Sequence, residues 1–175
     1  MILNIKQTQF GAEPEFEIED TATGETLAKC TSLNHISTEI VFAGQNAYTL
    51  SFEPVLQEKE GEKNELMYGI SEHNRPVGGF YTAEVCQKKI LFVSVGYDYY
   101  EIQFYGGMYQ LYEIGLGTDR HYLCLYQDGQ TVAIVHKPTE VKSHLDTYTV
   151  YLENAQYRDI ACIAALFIDG LEYSS

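Results

Sequence analysis

Basic residues are scarce in this chain. Against 25 acids the 175 residues include 11 lysines and arginines, for a formal net charge of −14. Nucleic acids and anionic membrane surfaces are held by Lys and Arg that neutralise phosphates, so the balance argues against a nucleic-acid partner and against phosphoinositide or membrane binding. Long apolar runs are also lacking. The longest, Ile160 to Ile168, has nine residues, far short of the ~20 that span a bilayer. The opening MILNIKQTQF has neither a basic start nor an apolar stretch of signal length, so a cytoplasmic protein is expected. The four cysteines, Cys30, Cys86, Cys124 and Cys162, include no CxxC pair and sit among apolar or β-type residues. They are expected to be buried free thiols acting as small hydrophobes.

Motifs for catalysis are missing as well. The histidines are His35, His73, His121, His136 and His144, and none belongs to an HxH or HExxH pattern. His121 and Cys124 are three apart, a spacing that sends two strand side chains to opposite faces. There is no GxSxG elbow, and Gly115-Leu116-Gly117 has no helix after it to complete a phosphate loop. His136 and His144 flank KPTEVKS with Asp146 nearby; whether these three form a site stays open. The expectation is no catalytic residue, no metal and no cofactor: a protein that is not an enzyme, whose partner is unidentified and whose oligomeric state is open.

What is present is β structure. A single domain over residues 1–175 is expected from the length. Thirteen segments rich in Tyr, Phe, Ile and Val read as strands: Leu3–Lys6, Glu15–Glu19, Thr26–Lys29, Glu39–Phe42, Ala47–Phe52, Leu66–Ile70, Gly78–Val85, Ile90–Val95, Tyr99–Tyr105, Met108–Ile114, His121–Tyr126, Thr131–His136 and Thr147–Leu152. The chain holds fifteen tyrosines, most of them in these segments, and such residues suit a pleated, half-buried surface. Tyr100, Ile102 and Phe104 share one face and Glu101 and Gln103 the other. Glu15, Glu17 and Glu19 likewise alternate with Phe16 and Ile18, a solvent face. Asp128-Gly129 and Gly106-Gly107 are short hairpin turns, Thr23-Gly24 and His73 to Pro76 break earlier pairs, and tight turns join neighbours antiparallel. QEKEGEKN, from Gln57 to Asn64, reads as a solvated loop.

Residues Arg158 to Leu171, RDIACIAALFIDGL, break this rhythm. Ala161, Ala164, Ala165 and Leu166 favour helix, Asp159 is a first-turn acid, and Gly170 stands where a helix would end. Ile160, Ile163 and Phe167 lie on one side, and Ala161, Ala164, Ala165 and Ile168 cover the other. A helix with no polar stripe is buried all round. From Arg158 to Ile168 it would be about 16 Å long, close to the ~20 Å of a six-residue strand. The lengths predict a helix threading a barrel. Eight strands leave no room for one, whereas about eleven do.

The last third of the chain resembles the tubby-like superfamily, close to its LURP-one-related and phospholipid-scramblase-like members. The resemblance rests on the turn Asp128-Gly129 followed by Val132–Val135, on Asp146, Tyr148 and Val150, and on the apolar helix from Ile160 to Asp169. It covers Tyr122 to Asp169 and implies an antiparallel closed barrel of about 12 strands around a buried C-terminal helix. Eukaryotic members bind phosphoinositides through clustered Lys and Arg. No such cluster is present here: Lys88-Lys89, and Lys137 with Lys142, are pairs diluted by acids.

Two functional readings follow. The first is a non-enzymatic soluble binding or scaffold module of tubby-like fold, meeting a protein or other partner through rims, loops and aromatics such as Tyr97, Tyr99, Tyr109 and Tyr112. The alternative is a lipocalin-like carrier of a small apolar ligand, or a small enzyme built in such a cavity, with the helix packed outside.

Overall fold

Alternating apolar and polar residues build fourteen strands, β1 (Ile2–Gln9), β2 (Glu15–Asp20), β3 (Thr26–Asn34), β4 (Ser37–Phe42), β5 (Ala47–Ser51), β6 (Val55–Gln57), β7 (Glu65–Glu72), β8 (Arg75–Thr82), β9 (Cys86–Ile90), β10 (Val93–Phe104), β11 (Gly107–Gly115), β12 (His121–Gln127), β13 (Gln130–Lys137) and β14 (Thr147–Leu152). A single 3₁₀ turn, Ala155–Tyr157, leads into the helix α1 (Arg158–Ser174). The computed structural model describes residues 1–11, 13–34, 36–44, 46–57, 65–82, 86–90, 93–115, 121–137 and 145–174, with side chains outside the description at 86–90, 93–97, 115, 121 and 172–174.

Every strand pairing among the described residues is antiparallel. The order runs β11-β12-β13-β14-β1-β2-β3-β4-β5-β7-β8-β10, and β10 pairs with β11, so the sheet closes into a barrel of 12 strands. The two remaining strands extend the wall. β7 gives Ile70–Glu72 to β5 and Glu65–Met67 to β6. β10 gives Tyr100–Phe104 to β8 and Val93–Tyr97 to β9.

Turn chemistry sets the register. Both corner residues of three two-residue turns have positive φ: His73 and Asn74 at 47° and 63°, Tyr105 and Gly106 at 47° and 77°, Asp128 and Gly129 at 52° and 76°. These are the type I′ values whose twist matches that of the flanking strands. The middle turn falls one residue earlier than Gly106-Gly107, since Gly107 already opens β11. Pro76 lies within β8, opposite Ser71. Two short strands escaped the sequence reading. β6 has only three residues, and the segment Ile90–Val95 straddles the end of β9 and the start of β10. The turn between those two, like most of the loop 57–64, lies outside the described residues.

The inward rows follow the expected parity. Phe16 and Ile18 of β2 and Ile102 and Phe104 of β10 are buried, while Glu101 and Gln103 are exposed. On the outer face Glu19 and Glu17 meet Lys6 and Lys29 in partly exposed ion pairs, each contributing at most about 1 kcal/mol.

Inside the barrel lies α1. Ile160 to Asp169, ten consecutive residues, are all at most 5 % exposed. A helix packed on an outer wall would keep one face wet; this one touches wall on all sides. The Phe167 ring stacks on Phe80 of β8 at 3.8 Å between centroids and meets Tyr68 of β7 and Tyr100 of β10 edge-on at 5.2 and 5.5 Å. The helix also packs along β13 and β14.

The helix does not end at Gly170 but continues to Ser174. Gly170 is inside it for a different reason: a Cβ there would come within 2.2 Å of the Phe52 ring. Glycine marks close approach as well as chain reversal, and here it admits an aromatic plate against the helix backbone. Of the cysteines, Cys30 and Cys162 are buried free thiols as expected. Cys124 departs from expectation: it alternates with inward Leu123 and Leu125, so it points outward and is half-buried. The Cys86 side chain lies outside the described residues.

Two substitutions probe this packing. Ala164→Lys places an unpaired charge in the lumen at a cost of several kcal/mol and should abolish cooperative folding, read by circular dichroism and thermal melting. Phe167→Ala should fold but lose about 3–5 kcal/mol. Native-like stability of either variant contradicts a helix enclosed by the wall.

Candidate functional site at the barrel mouth

The two ends of the barrel differ. At the helix N-terminus a polar cluster seals it. Asp159 Oδ2 accepts the Tyr48 hydroxyl at 3.0 Å and Asn46 Nδ2 at 3.3 Å, and its Oδ1 accepts Arg158 Nε at 2.8 Å. The Arg158 guanidinium lies 4.8 Å over the Phe42 ring, and Tyr105 covers Tyr48. An acid in the first turn also complements the helix dipole.

The other end is open. Here the turn after β1, the β3–β4 turn and the segment after β5 stand around the last buried turn of α1. They enclose a cleft of about 490 Å³ lined by Pro14, Phe16, Cys30, Ser32, Asn34, Ile36, Thr38, Phe52, Glu53, Leu166 and Asp169 among others. This lies within the usual range for small-molecule pockets. Of the lining residues Ile36 is 46 % exposed, and Phe10, Leu33 and Val55, each next in sequence to a lining residue, are 62 %, 51 % and 56 % exposed. Phe52 N donates to Ile36 O at 2.7 Å, tying two of the rim segments together.

At the floor is Asp169, 2 % exposed. The Tyr148 hydroxyl donates to its Oδ1. Tyr148 is in turn covered by Lys137, whose Nζ lies 5.3 Å from the ring centroid and 3.0 Å from Asp146 Oδ2. Asp146 N donates to Gln7 Oε1 at 3.0 Å, and Gln7 N donates to Asp146 O at 2.8 Å. β1, β13, β14 and α1 thus meet in one largely buried polar chain. Burial, reinforced by the Asp169 charge, pushes the Cys30 thiol far above its ordinary value, so it stays protonated and weakly nucleophilic.

The candidates named from the chain fare unevenly, since the structure separates His136 from Asp146. The His136 ring stacks on Tyr122 at 4.7 Å, off the inward row that carries Val135 and Lys137, while Asp146 takes Lys137. His144 and His35 lie outside the described residues, as does Lys142. Tyr99 and Tyr112 pair across β10 and β11 with rings 4.9 Å apart, and Tyr126 extends the row at 5.5 Å. Tyr109 belongs instead to the partly buried packing around the core, opposite inward Ile102. The Tyr97 side chain is outside the description. Among the described residues, no group of three His, Cys, Asp or Glu side chains is placed to hold a metal ion, and no helix is long and apolar enough to cross a membrane.

Sequence reasoning missed the Lys137–Asp146–Tyr148–Asp169 chain. A signal existed: Lys137 continues the inward parity of Ala133 and Val135, an unusual place for a lysine. No family model, curated protein or solved structure matches the chain.

Burial is the leading cause that raises the pKa values of Cys30, Cys162, Tyr48 and Tyr100 well above the ordinary thiol and phenol range. Groups whose folded pKa is raised contribute stability that is complete below the unfolded pKa and is lost as pH rises past it. The urea midpoint should therefore stay level up to about pH 8 and fall between about pH 9 and 11, where thiols and phenols ionise in the unfolded chain. A midpoint that rises across that window contradicts the burial of these groups. Alkylation by iodoacetamide, mapped by mass spectrometry, should modify Cys124 ahead of Cys30 and Cys162.

Proposed function

We propose that the chain is a non-enzymatic binding module of tubby-like architecture, acting in the cytoplasm, that takes its partner at the barrel mouth beside the helix C-terminus. The observation that carries this reading is the occupied lumen: Ile160–Asp169 fill the space in which a carrier barrel would hold cargo. Surface that remains for recognition is then the rim and the cleft behind it. Ile36 lines the cleft and is exposed, and the exposed Phe10, Leu33 and Val55 are each next in sequence to a lining residue; exposed apolar patches on soluble proteins mark interaction sites. The tubby-like assignment rests on the residues between Tyr122 and Asp169 and on a barrel wrapped around its own C-terminal helix.

The net charge of −14 separates this module from the phosphoinositide-binding members it resembles. Vesicles carrying phosphoinositide should not retain it at about 0.15 M salt, where screening leaves only close contacts effective.

A fragment screen by protein-observed NMR tests the reading. Shifts should gather at Phe16, Ile36, Phe52 and Leu166 and spare the barrel wall. A long-chain fatty acid such as palmitate should not enter the barrel. Stoichiometric palmitate uptake with perturbation of Ile163 and Phe167 would establish the carrier reading in its place.

A further inference from the structure

We infer that the outer wall from β10 through β14 to β1 is an interface between two copies of this chain, packed sheet against sheet across a two-fold axis. No residue of the row that builds this surface lines the mouth cleft, so the inference stands apart from the mouth reading.

Strand register builds the surface. Tyr99, Tyr112, Cys124, Ile134, Tyr151 and Ile2 pair one after another across six neighbouring strands. Each is flanked along its strand by inward residues, as Leu111 flanks Tyr112 and Val150 flanks Tyr151, so the whole row points outward. Ile134, Tyr151 and Ile2 are 38 %, 46 % and 43 % exposed, and the other three are half-buried. The Tyr99 and Tyr112 rings lie 4.9 Å apart and Tyr126 joins them at 5.5 Å, which gives one end of the row a broad aromatic surface.

The surface is also cleared of charge. The chain has 25 acids, yet among the described residues no outward position of β11, β12, β13 or β14 holds Asp, Glu, Lys or Arg. On β2, two strands beyond β14, the outward positions are Glu15, Glu17 and Glu19. A wall that met only water would need no such clearing. Depletion of charge together with enrichment of Tyr is the compositional mark of an interface core.

The same clearing selects the occupant. A partner drawn by charge to this acidic chain would be basic, and would find its acids on β2. In a two-fold contact a patch meets itself, and any charge would oppose its own kind. Side chains that both donate and accept pair with their own copies instead. Across β11 to β14 every outward polar side chain among the described residues is of that type, as Gln110 and Thr149 illustrate. Two chains that each carry −14 can approach closely only where their acids are absent. The size fits as well. Six strands about 4.8 Å apart, with three outward rows about 6.7 Å apart, make a patch of about 600 Å². Two copies then bury about 1,200 Å², the lower end for a stable interface, which sets a dimer of micromolar Kd.

Sedimentation velocity on the full chain, over concentrations that bracket the micromolar range, tests this. The mass should rise from that of one chain to that of two. The rate at which iodoacetamide modifies Cys124 should fall in step, because the row that contains it becomes covered. Raising salt from about 0.02 to 0.15 M should tighten the dimer, since it screens repulsion between the two acidic bodies. Ile134→Glu places like charges across the axis and should weaken association at least ~10-fold; Tyr151→Glu, on the same row, repeats the test should that variant fail to fold. Val41→Glu makes the same change at an exposed position of β4, on the far side of the barrel, and should dimerise like the native chain. A chain that stays monomeric throughout overturns the inference. So does a dimer that both row variants leave intact, one that leaves Cys124 reactivity unchanged, one that Val41→Glu disrupts equally, or one that salt weakens. None of these results bears on the fragment shifts expected at the mouth.

Discussion

A helix without a polar face and a barrel too wide to fill itself depend on one another. Twelve strands close around a space that their own inward side chains do not occupy, unlike an eight-stranded barrel, and α1 occupies it from Ile160 to Asp169. Neither part is stable alone. The helix would expose Ile, Leu and Phe on every side, and the wall would surround a void whose lining loses its contacts. Phe167 concentrates the arrangement. Its ring is stacked on Phe80 and flanked by Tyr68, Tyr100 and Phe52, so strands β7, β8 and β10 are referred to a single helical side chain. Glycine serves this closeness twice: at Gly170, which admits Phe52, and at Gly78, where a Cβ would stand 1.8 Å from Gln103 O of the neighbouring strand.

Apolar packing alone would let such a helix slide or rotate in its sleeve. Two acids fix it axially. Asp159 is held by Tyr48 and Asn46 at one end, and Asp169 by Tyr148 at the other. Buried polar contacts of this kind specify one arrangement among several of similar apolar burial. They also make the ends unequal. The first is stoppered by Arg158 over Phe42, whereas the second opens into the cleft. The open end is the proposed working face because aromatic walls and accessible volume coincide there.

Much of this was legible in the chain, and the limits have physical causes. Strand parity was readable because each strand has one dry and one wet face, as in Phe16 and Ile18 against Glu15, Glu17 and Glu19. The central helix was readable because the run from Ile160 to Ile168 has no polar stripe, which leaves only an interior place for it. Gly170 misled because glycine at a helix end and glycine under an aromatic ring look alike in sequence. Strand β6 was missed because three residues are too few to show a period, and β9 because its boundary with β10 carries no turn signal. The Lys137–Asp146–Tyr148–Asp169 chain joins two strands to a helix whose axial position no local pattern encodes. The cleft lies further beyond sequence reach, since its walls come from the loop after β1, the β3–β4 turn, the segment after β5 and one turn of α1.

Hydrogen exchange of the α1 backbone addresses the mutual dependence of plug and wall most directly. If the helix holds the barrel together, the amides of residues 161–168 exchange only through global unfolding, with the same free energy as the slowest amides of β1, β8 and β10. Exchange of the helix through a lower-energy opening, with those strands still protected, would mean that the wall stands without its plug and would contradict the account.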